Sequence, residues 1–561
     1  MNPDGPLIVQ SDKTVLLEVA HARADEARHA LAVFAELERA PEHIHTYRIT
    51  RLGLWNARAA GHDALEIVDS LTTFSKFPVP EGIVDEIHET IRRYGQIEIT
   101  REDDQLYVSC QSEAIEAEIT KTASIASLLG PRDNRGRFPV AAWSRGVIKQ
   151  ELVKRGWPAA DHAGYTEGTP HEIDLETAAW RLRDYQLEAI ERFVASGSGV
   201  VVLPCGAGKT LVGAGVMAEL DTSTLILVTN TVSARQWRAE LLARTSLTED
   251  DIGEYSGQVK EIKPVTIASY TIMAAKRKGE FTHLGLLDAM NWGLVVYDEV
   301  HLLPAPVFQL TAQLQARRRL GLTATLVRED GREGDVFSLI GPKRFDVPWK
   351  QLEAQGYIAP ASCVEVRLEL PASERLEYAA ATDAERYRLA AATPSKARLV
   401  EEIMRYHPDD PTLIIGTYVE QIEHLSEHLG VPIVTGETPV DRREELYRAF
   451  RSGEISRLVV SKVANFSIDL PEASVAIQVS GSFGSRQEEA QRLGRILRPK
   501  ADGRPAVFYT LVARDTVDQD FALNRQRFLA EQGYGYRILD AVDIPQKLPV
   551  FLSEKVQTTP R

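Results

Sequence analysis

The strongest constraint in the sequence is a set of short apolar runs, GVVVLP, TLILVTN, PVTIAS, WGLVVYDE and RRLGLTAT, that alternate with helical segments between about residues 180 and 345. Near-continuous apolar strands separated by helices must be covered on both faces, which is the condition of a mostly parallel α/β sheet. The alternation returns with PTLIIGT at 411–417, VPIVTG, SRLVVSK and ASVAIQVS, and ends with VFYTLVA at 507–513. A chain of 561 residues exceeds one hydrophobic core, and two such sheets occupy most of it.

Composition narrows the class. The formal charge of −15 and a pI near 5.5 exclude a surface that wraps nucleic acid non-specifically, while leaving room for a local basic groove and for a protein partner. Cys110, Cys205 and Cys363 are scattered and form no CxxC, so neither a disulfide framework nor a cysteine metal site is expected. With no apolar run of membrane length, the expectation is a reduced, cytoplasmic protein without membrane attachment.

Changes in composition divide the chain into a small α+β unit over 1–130, a Gly-, Pro- and Arg-rich linker with one helix over 131–174, and a first α/β lobe over 175–349. A segment dense in Glu, Arg and Tyr over 350–395 is too long for an ordinary connection and reads as a projecting module. A second α/β lobe follows over 396–545, then a tail over 546–561.

The polar clusters delivered by the strands carry the chemistry. After VVVL come Pro204, Cys205, Gly206, Ala207, Gly208, Lys209 and Thr210. Gly206 and Gly208 permit a tight wrap whose N–H groups face phosphate oxygens at a helix N-terminus. Lys209 is suited to the terminal phosphates and Thr210 to Mg²⁺. The longer GxxxxGK[ST] form would need glycine at 203, where the chain has Leu203, so the match is to the short GxGKT. Cys205 reads as a packing residue of the loop. After WGLVVY, Asp298 is placed to hold Mg²⁺ through water and Glu299 to polarise the attacking water. His301 lacks a second histidine at ligand spacing, which favours a coupling role over zinc. Arg183 and Gln186, at a helix start before the first strand, offer an amide suited to adenine, or else simply a polar helix N-terminus. Gln491, Arg495 and Arg498 fall at i, i+4 and i+7 on one helix face. A surface helix shows that spacing for salt bridges; between two lobes it offers cations to a γ-phosphate. ATP and Mg²⁺ are therefore the expected substrate and metal.

GAGKT, DEVH, the TAT of GLTAT and QRLGRILR, in this order, resemble superfamily 2 helicases and translocases. LRDYQ, DEVHLLPA, GLTATLVRED, SKVANFSIDLPEA and GSRQEEAQRLGRILR more closely resemble the xeroderma pigmentosum group B (XPB) DNA helicase family in its bacterial form. The likeness is strong over 180–540 and extends to LIVQSDKTVLLEVAH, HTYRIT and FSKFPVP in the first 110 residues. It implies two RecA-like parallel-sheet lobes, a thumb-like DNA-gripping insertion at 350–395, and an N-terminal α+β domain for damage recognition or partner docking. It also implies ATP-driven 3′–5′ movement on single-stranded DNA and forked duplex, by a monomer, in repair, with a nuclease or repair factor as partner. The alternative is a double-stranded DNA translocase or short-range duplex opener with little processive unwinding. Arg328, Glu329 and Asp330 match the family's RED element, associated with DNA opening. The chain departs from the family at Ala464-Asn465, where Gly-Asp is usual, leaving Asp469 as the nearby acid.

In such an architecture a single strand crosses both lobes on phosphate contacts. Asn230, Arg235 and Gln236 after the second strand, with Ser269 and Tyr270 after PVTIAS, are candidates for that contact in the first lobe. Thr417, Ser461 and Lys462 are the corresponding candidates in the second. Thr323 and Thr325, with His301, are candidates for coupling. Each loop residue has an alternative reading as a polar loop tip.

Overall fold

The computed structural model describes residues 4–39, 43–178, 180–204, 206–277, 280–283, 285–303, 314–315, 317–324, 333–347, 349–357, 361–461, 473–481, 506–531, 534 and 536–557. Of the expected site residues, Cys205, Thr325, Arg328, Glu329, Asp330, Lys462, Gln491, Arg495 and Arg498 lie outside them. No helix among the described residues is long and apolar enough to cross a membrane.

The N-terminal region forms two small units, each with a core of its own. In the first, Leu7–Val9 (β1), Thr14–Glu18 (β2), Ala35–Arg39 (β3) and Ile44–Ile49 (β4) make an antiparallel sheet in the order β1-β2-β4-β3. Helices up to Glu81–Arg93 cover it, with Val15, Leu17, Phe34 and Leu71 in the core. The second sheet has the order β7-β6-β5-β8, from Ile97–Glu102 (β5), Gln105–Cys110 (β6), Phe138–Val140 (β7) and Ala160–Asp161 (β8). The stretch 131–174, expected to be a linker, therefore supplies two strands and the helix Arg145–Lys154 to this second unit. Phe138, Val140, Ile148, Leu152 and Ala163 are its buried residues there. Turn-forming Gly, Pro and Arg mask strands only two or three residues long, which carry too few positions for a period to show.

Each lobe is an all-parallel seven-stranded sheet. The first has the order β11-β12-β10-β15-β16-β9-β17. Its strands are Ser198–Val202 (β9), Thr224–Val228 (β10), Ile252–Tyr255 (β11), Val265–Ser269 (β12), Leu294–Asp298 (β15), Arg318–Thr323 (β16) and Lys343–Asp346 (β17). Lys276–Arg277 (β13) and Glu280–Phe281 (β14) form a separate two-stranded ribbon. The second lobe has the order β20-β21-β19-β22-β23-β18-β24. It contains Ala361–Leu368 (β18), Thr412–Gly416 (β19), Ile433–Val434 (β20), Arg457–Ser461 (β21), Val475–Gln478 (β22), Ala506–Ala513 (β23) and Tyr536–Asp540 (β24). Renumbered one to seven within its own sheet, each lobe reads 3-4-2-5-6-1-7, so the two share one topology.

That shared order corrects the expected module at 350–395. β18 is the first strand of the second lobe, paired along its length between β23 and β24, so this lobe begins at 361 rather than 396. Among the described residues of 361–395, the helices Ala372–Ala380 and Asp383–Ala391 stand outside the sheet, and they pack against the lobe through Tyr387 and Phe521. The alternation VEVRLEL looks half-exposed, yet Glu365 is fully buried, with its carboxylate met by Arg367 Nε at 2.5 Å and by the Gln526 amide. The expected tail likewise belongs to the lobe: helix Ile544–Gln557 inserts Ile544, Leu548 and Phe551 into the second core. Between the lobes an apolar cluster continues through Phe345, Val347, Trp349, Leu352 and Cys363.

Candidate functional site

In a parallel sheet every strand's C-terminal end lies on the same edge, and ligands gather there. β9 and β15 are separated by β16 alone, so the loop after β9 and the carboxylates ending β15 stand about 10 Å apart at ordinary strand spacing. The lysine side chain spans that gap. Lys209 Nζ donates to Glu299 Oε1 at 2.8 Å, with the two side chains 12% and 17% exposed.

The loop is shaped by its glycines. Gly206 and Gly208 have φ of 81° and 79°, left-handed values that glycine adopts without steric cost, and Gly208 caps helix Lys209–Leu220. A Cβ on Gly208 would lie 2.4 Å from Gln186 Nε2. Gln186 is buried: its amide donates to Ala207 O at 2.9 Å while its Oε1 accepts from Arg183 N at 2.9 Å. Tyr185 OH donates to the same carbonyl at 2.8 Å. Gln186 thus holds the loop, and neither amide atom is directed to a base in this arrangement. Arg183 lies over the Tyr357 ring at 4.5 Å, with Tyr185 and Tyr357 5.5 Å apart. Tyr357 was not apparent from the sequence, where it is one aromatic in a polar stretch with no motif around it.

Around the carboxylates the contacts form a connected set. Asp298 Oδ2 accepts from Trp237 Nε1 at 3.0 Å, and its backbone carbonyl accepts from Tyr270 OH at 2.7 Å. Trp237 reaches this position because Gly213 faces its ring, where a Cβ would come within 2.5 Å. Glu299 has φ of 49°, a left-handed conformation that a non-glycine residue adopts at a cost and that clusters at functional sites. Beyond it, His301 Nδ1 is 3.5 Å from Glu299 Oε2 and 2.5 Å from Thr323 Oγ1 at the end of β16. His301 and Thr323 are both buried.

Electrostatics follow from this burial. Desolvation, aided by the adjacent Glu299, pushes the Asp298 carboxyl up to about 6. Burial also opposes ionisation of Glu299, but Lys209 and His301 outweigh it and hold that carboxyl below its ordinary range. Two buried carboxylates facing one lysine leave the site short of positive charge. A divalent ion held by the Thr210 hydroxyl and Asp298 suits that deficit, since both are hard oxygen donors.

The candidates for strand contact separate into surface and interior. Asn230 follows β10 and caps helix Thr231–Arg244, its Oδ1 accepting from Ser233 N at 2.9 Å, and Arg235 and Gln236 are exposed on the first turns of that helix. Ser269 caps the helix after β12. Tyr270, grouped with these in the sequence, is buried with its hydroxyl on Asp298, so it faces the carboxylates rather than a strand. Thr417 follows β19, its N–H donating to Ser480 Oγ at 2.8 Å, and Ser461 ends β21 in a buried position.

A nucleotide-type loop on the first of two sheets with one topology defines a two-lobed, RecA-like helicase core. Residues 352–558 match the family described as ERCC3/RAD25/XPB C-terminal helicase, 179–328 the type III restriction enzyme res subunit, and 7–134 the helicase conserved C-terminal domain. The chain is 63% identical to the DNA 3′-5′ helicase XPB of Kineococcus radiotolerans, over 97% of this chain and 98% of that protein. It is 60% identical to the DNA 3′-5′ helicase XPB of Mycobacterium tuberculosis, over 96% and 99%. A general transcription and DNA repair factor IIH helicase/translocase subunit XPB of Antonospora locustae is 33% identical, over 96% and 82%. The chain belongs to the XPB family of DNA 3′-5′ helicases.

Proposed function

We propose that the protein is an ATP-dependent 3′–5′ DNA helicase and translocase that moves on single-stranded DNA and opens forked duplex in DNA repair, in the cytoplasm and as a monomer. The observation that carries the reading is the Lys209–Glu299 bridge at 2.8 Å, which joins the phosphate loop to the residue assigned to the attacking water. ATP arrival replaces that bridge: Lys209 turns to the β- and γ-phosphates, and Glu299 is freed to accept a hydrogen bond from water. Gly206, Ala207 and Gly208, with Pro204 and Cys205 leading in, wrap the phosphates with N–H groups. Thr210 and Asp298 would hold Mg²⁺, which would supply positive charge against the phosphates. Arg183 and Tyr357 offer a stacking wall for adenine, and Gln186 reads the base only by exchanging one of its present hydrogen bonds.

Gln491, Arg495 and Arg498 are assigned to the γ-phosphate from the opposing lobe, as the sequence spacing and family likeness support. Asn230, Arg235, Gln236, Ser269, Thr417, Ser461 and Lys462 are assigned to the DNA backbone. Arg328, Glu329 and Asp330 are assigned to strand opening. His301 and Thr323, with Thr325, are assigned to carry the state of Glu299 toward the ends of neighbouring strands, and Tyr270 and Trp237 to carry that of Asp298 toward the helices that follow β12 and β10. A nuclease or repair factor is the expected partner.

The test is ATP hydrolysis and strand displacement measured together on forked DNA and RNA duplexes with 3′ or 5′ tails. Displacement confined to the 3′-tailed DNA is the expected result; displacement from the 5′ tail alone overturns the polarity. DNA-stimulated hydrolysis without displacement selects the second reading, a translocase or short-range opener, which the helicase/translocase name of the Antonospora relative favours.

A further inference from the structure

β11 is the outer strand of the first lobe, and the chain turns back on itself directly after it. Ser256 N donates to Val259 O at 2.7 Å and Glu261 N to Glu254 O at 2.9 Å, a hairpin that carries Lys260 back beside Tyr255. From the other side comes His283. The chain leaves β12, forms helix Tyr270–Met273 and the ribbon of β13 and β14, and Thr282 N then donates back to Ala275 O at 3.3 Å. The three side chains meet. Tyr255 OH lies 3.0 Å and Lys260 Nζ 3.1 Å from His283 Nδ1, the two rings cross edge to face at 5.6 Å, and Nζ stands 4.8 Å from the centre of the Tyr255 ring.

Lysine has donors only, so Nδ1 accepts and the proton of the ring sits on Nε2. Desolvation and then the Lys260 charge hold His283 below its ordinary value, which keeps the ring neutral. Among the described residues no carboxylate pairs with Lys260, whereas Lys13, Lys76 and Lys343 each meet one. A lysine held by two rings instead of a counter-charge has already lost side-chain freedom and keeps its charge available for an anion. The place of the cluster says which anion. All seven strands are parallel, so the loop after β11 shares the C-terminal edge with Ser269 and Asn230. Tyr255 pairs in register with Ala268, the residue before Ser269, and β10, which precedes Asn230, is the next strand in. The phosphate loop after β9 lies five strands away, about 24 Å at ordinary spacing, too far for the phosphates of a nucleotide held there.

We propose that Lys260 is a further phosphate contact for single-stranded DNA, positioned by Tyr255 and His283, and that the strand crosses the first lobe from Asn230 past Ser269 to its outer edge. This rests on the reading above that the strand runs along that edge.

The experiment measures binding of full-length wild type, Lys260→Ala, Lys260→Arg, His283→Leu and Arg235→Ala to a fluorescent single-stranded DNA oligonucleotide over a series of salt concentrations, with thermal unfolding in parallel. Each phosphate neutralised on a single strand contributes about 0.7 to the slope of log Kd against log salt. Lys260→Ala is therefore expected to lower that slope by roughly 0.7. It should also weaken binding roughly threefold to tenfold, equally on oligonucleotides of different sequence, since a phosphate contact carries no sequence information. Lys260→Arg keeps the charge and should retain the wild-type slope. His283→Leu removes the ring nitrogen beside Nζ, and a smaller fall in slope at unchanged unfolding temperature is expected; the wild-type slope there overturns the positioning role. A wild-type slope in Lys260→Ala overturns the contact, whether or not affinity falls. Should Arg235→Ala also leave the slope unchanged, the strand does not run along this edge, and the reading beneath the contact fails with it.

Discussion

Lys209 and Glu299 neutralise each other across a strand's width, so removal of either exposes what the other was doing. Lys209→Ala takes the charge partner from the transferred phosphate, and roughly a 10²–10³-fold fall in kcat is expected in steady-state ATPase assays. Turnover within a few-fold of wild type would sink the site assignment. Asp298 carries a pH signature. Its carboxyl, pushed up to about 6, is protonated below that pH and resists the metal, so kcat/KM for Mg-ATP should fall as pH drops through about 6. Trp237 donates to the charged form and lowers that value, hence Trp237→Phe should move the acid limb up by roughly one pH unit. An unmoved limb would show that Trp237 only packs. Stability runs the other way from activity here: a carboxyl raised above its unfolded value favours folding at low pH, and that contribution fades as pH rises through about 6.

At the scale of elements, β18 separates the two accounts of residues 350–395. A strand paired on both sides loses a ladder hydrogen bond and clashes when proline enters it, so Val366→Pro should cost about 3 kcal/mol or more and melt the second lobe. A projecting module would tolerate the change with no shift in the unfolding of the lobe. The sequence misleads here for a physical reason. Glu365 and Arg367 alternate with Val364, Val366 and Leu368, the pattern of a half-solvated strand, but Glu365 is paid for internally by Arg367 and Gln526. The apolar strands β9, β10, β15 and β19 were legible because no polar aliphatic side chain interrupts their interiors, and β12 because Thr266 is its single interior break. The phosphate loop and the Asp298-Glu299 pair were legible because they sit directly after such strands. Trp237, Tyr357 and the inward turn of Tyr270 were not, because each depends on an element remote in sequence: Asp298 for two of them, Arg183 for the third. The apolar pattern of ADEARHALAVFAELERA is helical in spacing as far as Pro41, yet the helix ends at Ala32 and residues 35–39 extend as β3, because pairing with β4 overrides the helical pattern.

Over the whole molecule, the N-terminal units tie into the lobes rather than hanging from them. Asn56 Oδ1 accepts from Lys343 N at 2.9 Å, Arg344 donates to Ala59 O at 3.0 Å, and Trp55 stacks obliquely 6.3 Å from Phe337, all on the first lobe. β3 of the same unit lies against helix Val517–Glu531 of the second lobe, so this unit touches both. The second unit docks through a buried charge cluster. Asp161 takes Arg145 at 2.7 Å and Lys149 at 2.9 Å, Lys149 also donates to Gln315 at 3.0 Å, and Arg319 of β16 lies buried beside Tyr165. One carboxylate thus serves two buried cations, while the Arg319 guanidinium donates to the carbonyls of Leu339 and Gln315. Burial lowers the Lys149 ammonium to about 8 against the pull of Asp161, so docking should gain stability as pH rises from about 8 toward the ordinary lysine range, where only the unfolded chain still holds the proton. Asp161→Asn removes the shared negative charge and turns one acceptor into a donor facing a cation, at an expected cost of about 3–5 kcal/mol. The readout is limited proteolysis with thermal unfolding: the variant should expose cleavage sites between residues 95 and 175 while the lobes stay resistant. If the whole chain instead lost its resistance in one step, the second unit would be part of the lobe's own folding and not a docked body.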